Sequence, residues 1–501
     1  MKRARIDSVV LNQRGVQQFN EGQFAQAYES FSASLREKPT VVAFENRAIT
    51  LGRLEALYAA LIDYNAALMH EPLNTKAMRG RANLLYKLGR MSESIDAFTE
   101  ALRLQPESDF AWNGRGNVYH RIGSHELAIA DYDRAIAIKP TDAVLYCNRA
   151  NSRLNLAQHQ HSQYLQQALL AAASLSSSLS SSLSSSLSSS TTPLSGSWTL
   201  RGNALVRQAL GDFDKALELQ PGYGKALVDR GDLYDDLNEF PSAVRDFTAA
   251  LEFDKSDAKV FHARAYSLQQ MARFRDAVAD YSAALALDPA NGHTLNNRGN
   301  CKLELGDVAG AIADLDAAIA INPTLGYSFV HRGNARLALA NAAEGAAAAA
   351  AEVAANVALA HEDFRAAIER HTTMIEQQQH SHTMRVSRGR AFHGLGRYDE
   401  ALRDYEAAYA LNPDSFDACN YMARTRTALG LLEPALLDIT KAIRLNPFNA
   451  RLLLERAELY RRLGNLPLCI EDYTCAYNVC CPRDQRDIRT TLEKLKALPR
   501  S

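Results

Sequence analysis

The stretch LNNRGNCKLELGDVAGAIADLDAAIAINP, residues 295–323, decides the fold. Its first part, Leu295 to Leu305, is helix-compatible and stops at Gly306-Asp307, a residue that ends helices followed by one that caps the next. In the second part Val308, Ala311, Ile312, Leu315, Ala318 and Ile319 recur at steps of three and four, the apolar stripe of an amphipathic helix. Asn322-Pro323 closes that helix: the residue before a proline is pushed out of the α region, and the proline ring cannot continue a helical ladder. The stretch therefore reads as helix, tight turn, helix, proline turn.

The same phrase recurs along the chain. RGN stands at 115–117, 201–203, 298–300 and 332–334, RAN at 81–83 and 149–151, and RGD at 230–232. The small middle residue falls at Gly15, Ala48, Ala82, Gly116 and Ala150, then Gly231, Ala265, Gly299 and Gly333, then Gly389, Ala423 and Ala457, with steps of 33 or 34 inside each group. Pro39, Pro72, Pro106, Pro140, Pro289, Pro323, Pro413 and Pro447 each follow their small residue by 24. A period near 34 is that of an array of helix–turn–helix units, each burying its apolar face against its neighbours.

Several further positions keep phase. A small residue stands at unit position 20 (Ala60, Ala128, Ala243, Ala277, Ala311, Ala401, Ala435) and an aromatic at 24 (Phe31, Tyr64, Phe98, Tyr132, Phe247, Tyr281, Tyr405, Tyr473). With the small residue at 8, the Ala at 27 and the Pro at 32, this pattern resembles the tetratricopeptide repeat (TPR) family. The resemblance covers nearly the whole chain, in the NRGN style common in microbial eukaryotes and cyanobacteria. It implies an all-α fold: a right-handed superhelical solenoid of antiparallel helix pairs, about 13 units long.

The chain has 501 residues, seven cysteines and a formal net charge of −1. That balance argues against nucleic acid as a partner, since nucleic-acid binders carry a basic face. The N-terminal MKRARIDSVVLNQ lacks the apolar core of a signal peptide, and no stretch is apolar over the ~18 residues a membrane span needs. The expected setting is intracellular and cytoplasmic, without membrane insertion; long arrays of this family also occur in cilium and centrosome assembly. Cys469, Cys475, Cys480 and Cys481 lack the paired spacing and histidines of a zinc site, so they read as core and turn residues, with no metal or cofactor expected.

Two breaks divide the array. After Ala150 a degenerate fifth unit runs into SLSSSLSSSLSSSLSSSTTPLSGS at 174–197, a low-complexity stretch expected to be a disordered linker. The expected N-terminal block is then 8–173 and the C-terminal block 198–482, beginning with WTLRGNALVRQALGDFDKALELQP as a sixth unit seven residues short in its second helix. The second break is an Ala-rich insertion of 15 residues, about 340–358, expected to lengthen a helix, followed by a polar link at 371–383 holding His371, His380 and His382. Residues 483–498 read as a capping helix.

The arginine of the opening phrase, at unit position 7, recurs in twelve of the expected thirteen units, and an aspartate at position 23 in eight. Antiparallel helices can bring the two together, and a planar guanidinium suits a partly buried carboxylate. The expected structural pairs are Arg47–Asp63, Arg115–Asp131, Arg230–Asp246, Arg264–Asp280, Arg298–Asp314 and Arg388–Asp404. The competing reading is an arginine ladder facing a ligand.

The asparagines divide into position 9 (Asn83, Asn117, Asn151, Asn203, Asn300, Asn334) and position 6 (Asn46, Asn148, Asn297). In the TPR family the first helix lines the concave face, so these residues are candidates for a ligand-binding ladder of amides, similar to that in the TPR arm of O-linked N-acetylglucosamine transferases. Each amide offers a donor and an acceptor to an extended peptide backbone; the alternative is that they cap or solvate the helix face. The TPR clamp for chaperone tails is matched only at Asn46 and Lys76, with Asn12, Val16 and Gly80 at its other places. No phosphate loop, nucleophile elbow or HExxH stands in the chain. The expectation is therefore a non-enzymatic protein-interaction scaffold holding proteins or extended peptides on the concave face. The alternative is a regulatory or substrate-recruiting arm of a larger enzyme or chaperone assembly.

Overall fold

The computed structural model describes residues 7–179, 202–343, 350–377, 381–480 and 485–496. Residues 180–197 of the expected linker, Arg201, His380 and Cys481 lie outside these. All regular structure among the described residues is helical, and the chain divides into two compact bodies: Met1–Gln166 with Asn203–Pro221, and Gln167–Gly202 with Gly222–Ser501.

In the first body α1 (Ser8–Asn20) pairs with α2 (Phe24–Glu37), α3 (Val41–Arg53) with α4 (Leu57–His70), α5 (Thr75–Lys87) with α6 (Met91–Leu104), and α7 (Asp109–Arg121) with α8 (His125–Ile138). The fifth repeat joins α9 (Ala143–Leu179) to α10 (Ala204–Leu219). Arg149 on α9 gives hydrogen bonds of 3.0 and 2.5 Å to Asp212 on α10, and Arg153 also reaches that carboxylate.

This corrects the expected block boundary. Residues 204–219 are the second helix of repeat five, not a shortened sixth unit, and the serine-rich run is an insertion within that repeat. Ala209, Phe213, Ala216 and Pro221 occupy positions 20, 24, 27 and 32 of a second helix at full length, so no residues are missing from it.

The second body pairs α11 (Gly224–Asp236) with α12 (Phe240–Phe253), α13 (Ala258–Gln270) with α14 (Phe274–Leu287), α15 (Gly292–Glu304) with α16 (Val308–Ile321), and α17 (Gly326–Ala343) with α18 (Ala350–Gln377). Then come α19 (His382–Gly394) with α20 (Tyr398–Leu411), α21 (Phe416–Ala428) with α22 (Leu432–Leu445), and α23 (Ala450–Arg462) with α24 (Leu466–Val479). The last helix, α25 (Gln485–Lys496), buries Ile488, Leu492 and Leu495, and its Ile488 and Leu495 pack against repeat twelve. The Ala-rich insertion extends the helices on both of its sides, α17 and α18, apart from residues 344–349, which are not among those described. His371 belongs to α18 rather than to a link, buried beneath Gly326, where an added Cβ would lie 2.7 Å from its Nε2.

Six of the turns between repeats hand over to a capping side chain. Thr40, Asn74, Ser108, Asn291, Ser381 and Ser415 each accept from the backbone N–H three residues on, satisfying one donor that the new helix leaves open. Between the two helices of a repeat the chain turns through a left-handed residue at position 15. Gly89, Gly123, Gly306, Gly396, Gly430 and Gly464 stand there with φ between 73 and 82°. Three repeats place another residue in the same conformation: Glu55, Asn238 and Ala272, with φ of 58, 56 and 59°. A Cβ in that region costs roughly 1–2 kcal/mol. Ala272→Gly is accordingly expected to stabilise its repeat by about 1 kcal/mol in chemical denaturation, less the extra entropy glycine brings to the unfolded chain.

The core is a column of alanines and rings. Ala60, Ala128, Ala243, Ala277, Ala311, Ala401 and Ala435 are sealed from solvent, and so are the position-24 residues Phe98, Phe213, Phe247, Tyr281, Leu315, Phe364 and Tyr405. First helices of successive repeats touch one another (α1 with α3, α3 with α5, α5 with α7, and α11 through α21 by alternate helices), whereas second helices do not to that extent. The first helices therefore take the inner side of the curve, and the residues they leave uncovered line a concave surface.

Candidate functional site: the inner faces of the helical repeats

The recurrent arginine is answered by geometry. In all six expected pairs the Nε and Nη2 groups donate to the two oxygens of one carboxylate at 2.6–2.8 Å. Arg456 and Asp472 make a seventh such fork. The aspartates are buried and the arginines half-buried, between the two helices of a repeat.

Sequence reasoning missed the third member. The remaining Nη1 donates to a hydroxyl on the preceding second helix: Ser32 for Arg47, Thr99 for Arg115, Thr248 for Arg264, Ser282 for Arg298 and Thr372 for Arg388, at 3.0–3.3 Å. One guanidinium thus ties three helices, and its donors are consumed within the scaffold.

The two repeats split by insertions carry a doubled version. Arg149 reaches Asp133 at 2.6 Å besides Asp212, with Arg153 added; Arg332 reaches Asp316 and Asp363, both at 2.6 Å, with Arg336 added at 2.6 Å. Repeat eleven has Met422 at position 7, and Arg426 one turn on takes over Asp438 and Glu406.

The amides do not form one ladder. Asn203 is the N-cap of α10, accepting from the Leu205 N–H at 2.8 Å, and does not belong to a first helix at all. Asn117 accepts from the Tyr132 hydroxyl at 2.7 Å, and Asn297 from Asn296 at 3.0 Å. Asn46 donates to Asn12 at 3.3 Å and Asn148 to Asn113 at 3.0 Å, so these position-6 amides link neighbouring first helices. The Asn151 amide lies 3.9 Å from the Cys147 sulfur. Asn83, Asn300 and Asn334 face open space on the inner side: Asn83 in the first body, Asn300 and Asn334 together in the second.

Asn83 lies in a groove of about 910 Å³ across α3, α5 and the start of α7. Arg53, Lys76, Arg79 and Lys87 line it against a single carboxylate, Glu55, with Ile49, Tyr64 and Phe110 as apolar floor. The buried Glu45 carboxylate takes up the Lys76 ammonium at 2.7 Å. The Arg79 guanidinium lies 5.4 Å from the Phe110 ring centroid and donates to Ser108 at 2.9 Å, while its buried Nε has no partner among the described residues. Basic heads over aromatic floor suit an extended segment carrying carboxylates and apolar side chains.

The tetratricopeptide repeat family model matches residues 54–109, 80–143, 262–325 and 353–416. The chain carries tetratricopeptide repeats. A comparison with curated proteins finds no match to it. Among solved structures, the MamA protein aligns over 44% of this chain and 94% of its own at 17% identity, with a TM-score of 0.30. Yeast Tom70 aligns over 98% of this chain and 95% of its own at 15% identity, with a TM-score of 0.33.

The second body closes on itself. Asn446 and Asn449, ahead of α23, both donate to the Gln270 carbonyl at the end of α13, at 3.0 and 2.9 Å. Arg451 pairs with Glu304, and the Phe240 and Phe416 rings meet edge to face at 6.4 Å. Repeats six to eight thereby touch repeats eleven and twelve, and the inner face between them is narrow.

That confinement changes the chemistry of the groups inside it. On α11, Asp232 and Asp235 hold their protons unusually well. Removal from water raises Asp235 to about 7, against the pull of the 2.5 Å hydrogen bond from Ser267, with Asp236 and Asp232 adding repulsion. Asp232, although its side chain is exposed, rises to about 6 for the same first reason, with Asp229 and Asp236 beside it. The folded state therefore binds a proton at Asp235 that the unfolded chain, titrating near 4, has lost. Stability from this group is full below pH ~4 and is lost as pH rises towards 7. Asp235→Asn is expected to flatten the fall in melting midpoint between pH 5 and 8; an unchanged slope would show that the carboxyl titrates normally.

His371 works in the opposite sense. Burial, with the Arg388 and Arg390 charges, lowers it to about 4 and keeps it neutral, favouring the folded state above pH 6.5. Among the described residues no group of His, Cys, Asp or Glu is arranged to hold a metal ion, and no helix is long and apolar enough to cross a membrane. Cys469 is buried at unit position 20, in the place a small core residue takes elsewhere.

Proposed function

We propose that this TPR protein is a non-catalytic scaffold that holds segments of other proteins along the inner faces of its helical repeats. The observation that carries the reading is a division of labour. The recurrent arginines spend their donors inside the scaffold, while Asn83, Lys87, Arg53 and Phe110 stand uncovered in the groove of the first body. A concave, amide-bearing surface with aromatic floor gives affinity through buried area and main-chain hydrogen bonds, and specificity through side-chain pockets.

The test is affinity capture with the intact chain beside a variant carrying Arg53→Ala, Asn83→Ala and Lys87→Ala, with circular dichroism to establish that both are folded. A discrete set of proteins held by the intact chain and lost from the variant supports the reading. Recovery of the same set with the variant moves binding away from the groove.

A further inference from the structure

Asn300 and Asn334 line one cavity of about 250 Å³ with Arg390, Tyr421 and Arg424, all on the first helices of repeats eight to eleven. None of the conserved-phase scaffold pairs reaches into it. Arg390 lies at position 9 of repeat ten, where the chain elsewhere prefers asparagine. Its guanidinium sits 4.8 Å from the Tyr421 ring centroid, and among the described residues it forms no ion pair and no hydrogen bond. Arg424 approaches the same ring at 5.9 Å and reaches Glu455 only at 3.7 Å.

Neither the Asn300 nor the Asn334 side chain has a hydrogen-bond partner among the described residues, and the buried Tyr405 hydroxyl at the back of the cavity has none of good geometry. Thr425 beside it already donates to the Tyr421 carbonyl at 2.8 Å and meets His393 Nδ1 at 2.9 Å. One carboxylate, Glu304, also lines the cavity, and it is held by Arg451 across the closure of the body. Asp417 feels the Arg390 charge without contacting it.

A half-buried guanidinium flattened on an aromatic ring, with two unsatisfied amides and a phenol converging on the same small space, is arranged for a planar anionic group. A volume of this size admits one side chain, not a whole segment. We propose that this cavity is a specificity pocket for a single carboxylate side chain, glutamate or aspartate, of a segment bound along the inner face. Arg390 grips the carboxylate in a fork, and Asn300 and Asn334 supply the remaining donors. The pocket rests on the scaffold reading above and adds to it the residue class that the second body selects.

The test uses the full chain and a phage-displayed library of random dodecapeptides. The intact protein is expected to enrich peptides that share an acidic residue. Changing that residue to Gln or Asn in the resynthesised peptide should weaken binding by about tenfold or more, the loss expected for a charge-assisted hydrogen bond. Arg390→Gln should weaken the acidic peptide by a similar factor and leave the amide peptide almost unaffected, since the two changes remove one interaction. Arg390→Lys should restore part of the difference, a lysine keeping the charge but not the fork. If Arg390→Gln melts early, Asn334→Ala, which deletes only an amide, carries the same comparison. Enriched peptides without an acidic residue, or equal losses in the intact and variant proteins, would overturn the pocket and leave the scaffold standing. A library that enriches nothing would count against both.

Discussion

Replacing Asp131 by alanine is expected to destabilise the first body by about 3–5 kcal/mol, the loss found when one partner of a buried ion pair is removed. The carboxylate is buried, and Arg115, with 15% of its side chain exposed, gives it two hydrogen bonds of 2.8 Å. Without it the guanidinium keeps Thr99 and the Trp112 and Tyr119 rings but no carboxylate. The cost comes from stranding a charge that three helices enclose. Two comparisons separate this from a general loss of charge. The paired replacement Arg115→Met with Asp131→Leu removes both charges and is expected to recover most of the stability. Glu93→Ala, which breaks the exposed Arg90–Glu93 pair, is expected to change nothing measurable. Urea denaturation of the four proteins decides the matter: a neutral Asp131→Ala would mean that the recurrent fork is ornamental.

The second large effect is expected at Phe364. Its ring is sealed from solvent among Phe329, Val330, Ala360, Ala367 and Ala391, so it joins the two helices of repeat nine to the first helix of repeat ten. Gly333 faces it so closely that an added Cβ would lie 2.7 Å from the ring. Phe364→Ala leaves a cavity and is expected to cost about 3–5 kcal/mol. In a solenoid each repeat is stabilised by its neighbours, so the damage should stay local. Hydrogen exchange is expected to accelerate in α17 to α20 and to remain unchanged in α1 to α8. Uniform acceleration throughout the chain would contradict nearest-neighbour coupling.

Much of this was legible in the sequence, because in a repeat protein the same packing problem is solved many times. The small residue at 8, the small residue at 20 and the ring at 24 interlock, and the Arg–Asp spacing of 16 is the distance at which two antiparallel helices bring side chains together. The fifth repeat misled for a local reason. An RGN at 201–203 imitates the start of a unit, and it stands just ahead of a second helix whose own signature, Asp212-Phe213 with Ala209, Ala216 and Pro221, was present but displaced by the insertion. Arg149 and Asp212 find each other across that insertion because the fork is made between helices and is indifferent to the length of chain joining them.

Other features left no periodic trace. The closure of the second body depends on Asn446 and Asn449 meeting Gln270, a contact across a turn of the superhelix that no spacing within one unit encodes. His371 looked like a linker histidine beside a polar run, yet the lengthened α18 carries it under Gly326. The amides at position 9 share a phase but not a role. Which of them faces open space is set by neighbours: Tyr132 takes Asn117, whereas Asn83, Asn300 and Asn334 have no such partner among the described residues.

In the proposed scaffold partners are held by the inner face rather than by the outer helices, and the outer face offers a real competitor. On α4, Tyr58, Ile62 and Met69 are 70, 68 and 84% exposed, a run of apolar side chains on a second helix. The most direct measurement places a photo-crosslinking amino acid at position 83, in the groove, or at position 62, on the outside, and irradiates the full chain with its captured partners. The scaffold reading predicts adducts from position 83 and none from position 62. Adducts from position 62 alone would contradict it and assign binding to the outer apolar run.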